Sequence, residues 1–298
     1  MSSRVALVSA RVARHLDEDL PPLLDALQDA GVDAEAADWD DPGVDWAAYR
    51  VALLRSTWDY AERVTEFLAW ADRTAKLTSL LNPPAVIRWN SDKHYLAELA
   101  RAGAPTVPTR FVEPGESAVA ELNRFLREEG PAEWVVKPSV GAGSRDAARY
   151  ARGEERKAGA HVERLLDAGR SVMLQPYLDQ VDQHGETALI YFHGRFSHAI
   201  RKGPLLQRGS GPTEALFAQE HITQRAPGAG ELQVAERVLA ALPFAPPLYA
   251  RVDLIRSRDD QPCLLEIELT EPSLFFAHAP GAARRLAQLC CQLPALSR

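Results

Sequence analysis

The 298-residue chain has only three cysteines, Cys263, Cys290 and Cys291. They are too few and too unevenly spaced for a disulfide framework or a structural zinc site, and are expected to be reduced. No apolar run approaches the roughly 18 residues of a membrane span. The start, MSSRVALVSARVARHLDED, has a short apolar stretch before Arg11 but no signal-peptide hydrophobic region, which predicts a cytoplasmic protein with no membrane partner. Positive charge is in deficit as well. A formal net charge of −7 argues against a nucleic-acid partner, because phosphate backbones are bound through an excess of Lys and Arg. Internal repeats, low-complexity tracts and a Ser/His/Asp spacing are all missing, so His94, His198 and His221 read as structural or surface residues. The remaining composition, 46% hydrophobic and 25% charged, is that of a globular chain able to bury a large core in two or three subdomains.

The most informative stretch is 251–276, RVDLIRSRDDQPCLLEIELTEPSLFF. Two alternating segments around a polar turn predict a β-hairpin centred between Asp259 and Asp260. That register sets Asp253 opposite Glu266, Arg251 opposite Glu268, and Val252 and Leu254 opposite Ile267 and Leu265, so that apolar meets apolar. Asp253, Glu266 and Glu268 then share one face with Arg251 beside them. Three carboxylates that close repel one another and call for a cation, and oxygen donors alone suit Mg²⁺ or Mn²⁺ better than zinc. A hairpin with one solvated face accounts for the same alternation.

Upstream, strands at 5–10, 32–37 and 51–54 and helices at 16–30 and 61–77 predict an α/β domain over 1–84 with parallel-sheet character. Its third strand runs into the turn Arg55-Ser56-Thr57-Trp58-Asp59-Tyr60. Ligands of open α/β sheets bind beyond the carboxyl ends of strands, so Ser56, Thr57 and Asp59 are substrate-side candidates; a helix-entry loop with Trp58 packed inward is the plain alternative. Pro83-Pro84 marks a boundary. The next helix is predicted from Ser91, with Lys93 in its first turn gaining from a nearby anion. A strand at 134–138 delivers Lys137 into the loop 139–145, where Gly141 and Gly143 allow close backbone approach to a phosphate and Ser144 adds a hydroxyl. The loop is neither a Walker A sequence nor a complete dinucleotide fingerprint. A strand at 172–175 ends in Gln175-Pro176-Tyr177-Leu178, whose backbone suits a flat heterocycle. A second hairpin (187–192, 196–200) leads to Arg201 and Lys202 and then to a Gly- and Pro-containing stretch, 203–218, suited to a lid. Helices at 230–242 and 282–293 complete the pattern.

Asp92-Lys93, Val136-Lys137-Pro138, the glycine loop, Leu174 to Leu178, Gly185-Glu186-Thr187, Arg251-Val252-Asp253 and Leu265 to Glu268 together resemble the ATP-grasp ligases, over about 93–276. The resemblance implies an ATP-grasp fold behind an N-terminal Rossmann-like α/β domain, divided as 1–84, 85–178 and 179–298. By position it implies that Lys93 and Lys137 neutralise nucleotide phosphates under a loop containing Gly141, Gly143 and Ser144. The backbone around Gln175, Tyr177 and Leu178 would read adenine, and Glu186 or Asp182 would hold the ribose. Asp253, Glu266 and Glu268 would bridge two magnesium ions, and Arg251 would stabilise charge on the reacting carboxylate. Arg201, Lys202, the stretch Thr270 to Ser273 after the metal strand and the 56–60 turn would face the substrate. The family commonly has Asn where this chain has Glu268, so the extra charge is met by a second ion or by pairing with Arg251. The RSTWDY turn, RWNSDK, VVKPSVGAGSRD, GET and EIELTEPSLF further resemble a small ATP-grasp group that includes the cyclo-ligase closing O-ureido-D-serine to D-cycloserine. The expected activity is carboxylate activation as an acyl phosphate for attack by nitrogen. A ligase joining another acid to a separate amine and an ATP-binding protein without catalysis are the alternatives. The expected partner is a small-molecule carboxylate, with a homodimer left open.

Overall fold

The structure, a computed structural model, describes residues 4–209, 211–212 and 221–296. The first unit contains β1 (Arg4–Ser9), α1 (Leu20–Asp29), β2 (Asp33–Asp38), β3 (Val51–Ser56), α2 (Val64–Thr74) and β4 (Ser79–Leu81). Its four strands are parallel, in the order β2-β1-β3-β4. α1 ends where Gly31 takes a left-handed φ of +78°, which a residue with a Cβ adopts only at a cost. β1 and β3 are buried on both faces, as their continuous apolar runs require. Leu7, Leu23, Leu27 and Leu53 fill one side, and Trp39, Trp46, Phe67 and Trp70 fill the other.

Pro83 and Pro84 lie at the junction between β4 and the next helix. Pro84 is the first residue of α3 (Pro84–Asn90), a position where the missing N–H costs nothing and the fixed φ favours the helix. α4 (Tyr95–Arg101) starts later than the sequence predicts, so Lys93 lies in the turn that precedes it. The middle unit follows with β5 (Arg110–Val112), α5 (Ala118–Glu128), β6 (Glu133–Pro138), β7 (Ala148–Ala151), α6 (Glu155–Asp167) and β8 (Val172–Pro176). Its antiparallel sheet has the order β5-β8-β6-β7. Leu122 and Phe125 of α5 and Val162 and Leu165 of α6 pack with Trp134 and Leu174 of the sheet.

The third unit holds α7 (Gln180–His184), β9 (Glu186–Phe192), β10 (Arg195–Lys202), β11 (Ile222–Gln224), α8 (Ala229–Ala240), β12 (Tyr249–Arg256), β13 (Pro262–Glu268) and α9 (Ala282–Cys291). Its antiparallel sheet runs β11-β10-β9-β12-β13. Packing departs from the linear division of the sequence. Tyr95, Leu96 and Leu99 of α4 join Leu189, Val252 and Ile267 of the third sheet in one core cluster, to which the middle sheet contributes Met173. α9 returns to the N-terminal unit, where Leu286 and Cys290 pack with Leu23 and Leu27 of α1. Of the stretch expected to form a lid, residues 203–209, 211 and 212 are described as irregular chain, and the rest lies outside the described residues.

Two buried asparagines join the units. Asn82 donates to the carbonyls of Tyr249 and Leu269 and accepts from Leu248 N–H. Asn90 donates to Ile267 O and accepts from Leu269 N–H. Both ends of the metal-face hairpin are thereby fixed against the segment that carries Lys93.

Candidate active site

The β12–β13 hairpin has Arg251 opposite Glu268, Val252 opposite Ile267 and Asp253 opposite Glu266. Beyond Asp253 a β-bulge shifts the register by one, so Leu254 faces Leu264 instead of Leu265. The bulge frees Leu265 to line the cleft. Oxygen atoms of Asp253, Glu266 and Glu268 all lie within 4.8 Å of one another, a hard donor set that fits a divalent cation such as Mg²⁺.

Glu266 and Glu268, with Asp253 buried behind them, form the floor of a cleft of about 170 Å³ between the middle and third sheets. Lys93, Lys137, Lys202 and Arg251 meet at this floor, and Arg145 lines the cleft further out on the glycine loop. Lys93 Nζ is 3.7 Å from Glu266 Oε2 and donates to Gly141 O at 2.7 Å. Lys137 comes from the end of β6, and burial beside Lys93 and Lys202 lowers its pKa against the pull of Glu266. Lys202 Nζ lies 2.6 Å from Asp253 Oδ2 and 3.2 Å from Glu186 Oε2. Arg251 clasps Asp253, with Nε to Oδ1 and Nη2 to Oδ2 both at 2.9 Å. It also donates to Glu268 and, at 3.3 Å, to Ser273 O. Burial would raise the Glu266 pKa, but the three lysines and Arg251 outweigh it and hold it at about 2. Burial raises Glu268 to about 7, with the Glu266 and Asp253 charges adding to the effect and Arg251 opposing it. Arg251 Nη2 donates to Glu268 Oε1, whose carboxylate also belongs to the three-oxygen cluster.

The glycine loop spans the mouth, with Gly141, Gly143 and Ser144 all lining it. Gly143 and Ser144 have φ of 62° and 59°, so this loop holds left-handed backbone even at a serine. Asp146, which sequence reasoning passed over, anchors it by accepting from Arg164 at 2.8 Å and Arg170 at 2.5 Å. At the apolar end of the cleft Leu178 packs with Val107, Val181, Ile255 and Cys263. Gln175 is buried and donates to Thr109 Oγ1 at 2.8 Å. The amide of Tyr177 donates to Glu133 O, and its ring lies 3.5 Å beneath the Arg149 guanidinium.

Glu186 lines the cleft, and burial raises its pKa against the opposing charge of Lys202. Gly185 has to be glycine to position it, since a Cβ there would sit 2.3 Å from Lys202 O. Several other expected residues are placed elsewhere. Asp182 is outside the lining, accepting from Tyr177 Oη at 2.5 Å and facing Arg149. Arg201 alternates to the opposite face of β10 from Lys202 and donates to the carbonyls of His184 and Gln183. Lys202 belongs to the carboxylate floor instead of a separate substrate wall. Ser56 is buried against Ser9 Oγ at 2.7 Å, and Thr57 is fully buried. Asp59 accepts from Trp39 Nε1 and Arg63. Their turn is a 3₁₀ helix (Trp58–Glu62) that sends Trp58 and Tyr60 into the cleft. Ser273 does line the cleft.

The segment after β13 is held by residues with no local sequence signature. Asp19 accepts from the amides of Leu274, Phe275 and Phe276 at 2.6, 3.0 and 2.7 Å. Arg55, wholly buried between Asp17 and Asp19, donates to Pro272 O at 3.1 Å.

Two antiparallel sheets that enclose a lysine- and carboxylate-lined cleft behind an α/β domain define an ATP-grasp ligase. D-alanine–D-alanine ligase from Bacillus anthracis shares the fold at 16% identity, with a TM-score of 0.68 over 98% of this chain and 96% of that one. The crystal structure of D-cycloserine synthetase DcsG superposes with a TM-score of 0.91 at 41% identity, covering 97% of this chain and 99% of that one. The cycloserine biosynthesis protein DcsG of Streptomyces lavendulae is 43% identical over 292 residues, 95% of this chain and 96% of the relative. The family profile of the D-cycloserine synthetase DcsG N-terminal domain matches residues 5–82. The chain belongs to the DcsG family of ATP-grasp ligases. It is an ATP-dependent ligase, and membership implies use of ATP and a divalent metal. Among the described residues no helix is long and apolar enough to cross a membrane.

Proposed function

We propose that the enzyme closes O-ureido-D-serine to D-cycloserine at the expense of ATP. The supporting observation is the alternation of Lys93, Lys137, Lys202 and Arg251 with Glu186, Asp253, Glu266 and Glu268 along one cleft wall. Such a wall can hold a polyphosphate and its metal while keeping water out of a charge-transfer site. Lys93 and Lys137 take phosphate oxygens under the glycine loop, Glu186 takes the ribose, and the base lies on Leu178 and its apolar neighbours. Asp253, Glu266 and Glu268 are the residues that would hold one or two Mg²⁺ ions, which when bound would neutralise charge on the transferring phosphoryl group.

The substrate carboxylate oxygen attacks the γ-phosphorus and ADP leaves, giving an acyl phosphate. The ureido nitrogen bonded to oxygen then attacks the acyl carbon, inorganic phosphate departs, and the nitrogen loses a proton as the five-membered ring closes; water must then cleave the carbamoyl group from that nitrogen, the group leaving as CO₂ and NH₃, to give D-cycloserine. Arg251 positions the reacting carboxylate, with Ser273 O holding its guanidinium in place. Hydroxylamine trapping tests the first step. ATP with O-ureido-D-serine should yield a hydroxamate, and none with any carboxylate would remove ligase chemistry from this site.

A further inference from the structure

Four carboxylates line the cleft directly: Glu186, Glu266, Glu268 and Glu271. The first three each have a cation, namely Lys202, Lys93 and Arg251. Glu271 makes no ion pair among the described residues, although it is only 6% exposed. Tyr60 stands beside its side chain, and its carbonyl accepts from Trp58 Nε1 at 3.0 Å. Trp58 and Tyr60 are themselves almost wholly buried and form the cleft wall beside it. A buried carboxylate that lines the cleft and makes no ion pair among the described residues is a receptor for a small ammonium group, which supplies the missing countercharge.

We propose that Glu271, with Trp58 and Tyr60, binds the α-ammonium of the amino-acid substrate while Arg251 engages its carboxylate. The two ends of the zwitterion are thereby fixed, and an acid lacking the amino group is rejected. Burial together with the Glu268 charge raises the Glu271 pKa to about 8 in the empty cleft, and a bound ammonium would offset that penalty. This subsite rests on the reading of the enzyme as an amino-acid cyclo-ligase.

The test compares wild type with Glu271→Gln on O-ureido-D-serine and on 3-(ureidooxy)propanoate, which lacks the α-amino group. Wild type should favour the amino acid by about 10- to 100-fold in kcat/KM, the range for a charged hydrogen bond. In Glu271→Gln that preference should collapse towards unity, while binding of a non-hydrolysable ATP analogue changes less than about threefold. Equal loss on both substrates would overturn the subsite, because a structural defect does not distinguish them. Calorimetric titration of D-serine against propanoate, with the ATP analogue bound, gives an independent readout. Preference for D-serine that disappears in Glu271→Gln supports the subsite even if wild type turns over neither ureido compound, an outcome that would refute the cyclo-ligase reading alone. No preference for D-serine in wild type overturns the subsite.

Discussion

Lys202 Nζ lies 2.6 Å from Asp253 Oδ2, and both side chains are almost wholly buried. This contact ties the end of β10 to the metal face on β12 and brings Glu186 into the same cluster. Lys202→Met leaves Asp253 and Glu186 short of a positive charge. We expect a stability loss of about 3 kcal/mol in urea unfolding without metal. Millimolar Mg²⁺ should recover part of it, because a divalent cation at the three carboxylates supplies the missing charge. A variant as stable as wild type without metal would mean that the contact carries no net charge compensation.

Arg251 spreads one guanidinium over Asp253, Glu268 and Ser273 O. Arg251→Lys retains the charge but not the planar fork. Its kcat is expected to fall about 100-fold, while the Kd of a non-hydrolysable ATP analogue stays within about threefold. Equal weakening of turnover and nucleotide binding would place Arg251 among the phosphate ligands instead.

Asp19 is expected to matter for the substrate wall although it never enters the cleft. Its carboxylate holds three successive amides at 274–276, and Arg55 beside it fixes Pro272. Asp19→Ala should destabilise the protein by about 3 kcal/mol and raise KM for the carboxylate substrate more than KM for ATP. Parallel increases in both would show that the 272–276 segment does not shape substrate binding separately.

The glycine loop has its own pH signature. Burial pushes the Asp146 carboxyl up, but hydrogen bonds from Arg164 and Arg170 more than compensate and hold it below its usual value. A depressed folded-state pKa gives stability that is present above the unfolded value and lost as pH falls through the folded one. Asp146→Asn should therefore be less stable than wild type by about 1 kcal/mol at pH 7, and the gap should narrow as pH falls below about 4. Urea midpoints from pH 7 to 3 measure it, and a gap independent of pH would contradict the assignment.

The hairpin carrying the metal face was legible because alternation specifies both its register and its charged side. The bulge after Asp253 was not, since Leu264 and Leu265 are both apolar and satisfy the pattern equally. Arg201 and Lys202 were separated only when β10 proved to run through Lys202, which places neighbours on opposite faces. Ser56, Thr57 and Asp59 read as a substrate-side polar turn, yet Ser9 partners Ser56, and Trp39 and Arg63 partner Asp59, which lets the turn be buried, while Thr57 Oγ1 is buried with no hydrogen-bond partner among the described residues. Asn82, Asn90, Asp19 and Arg55 act on chain roughly 170 to 260 residues distant. Local periodicity carries no trace of such pairings. Glu271 was legible as part of the substrate-side stretch 270–273, but only the structure shows that it lacks, among the described residues, the ion pair its neighbours in the cleft have.

Simultaneous measurement of ADP release and product mass with O-ureido-D-serine, ATP and Mg²⁺ tests the central claim most directly. We predict one ADP and one phosphate per substrate consumed, with D-cycloserine, lighter than the substrate by the mass of CO₂ plus NH₃, as the ring product, release of ammonia, and no added amine required. ADP release that depends on an added amine and yields a heavier conjugate would contradict cyclisation and make the enzyme an intermolecular ligase.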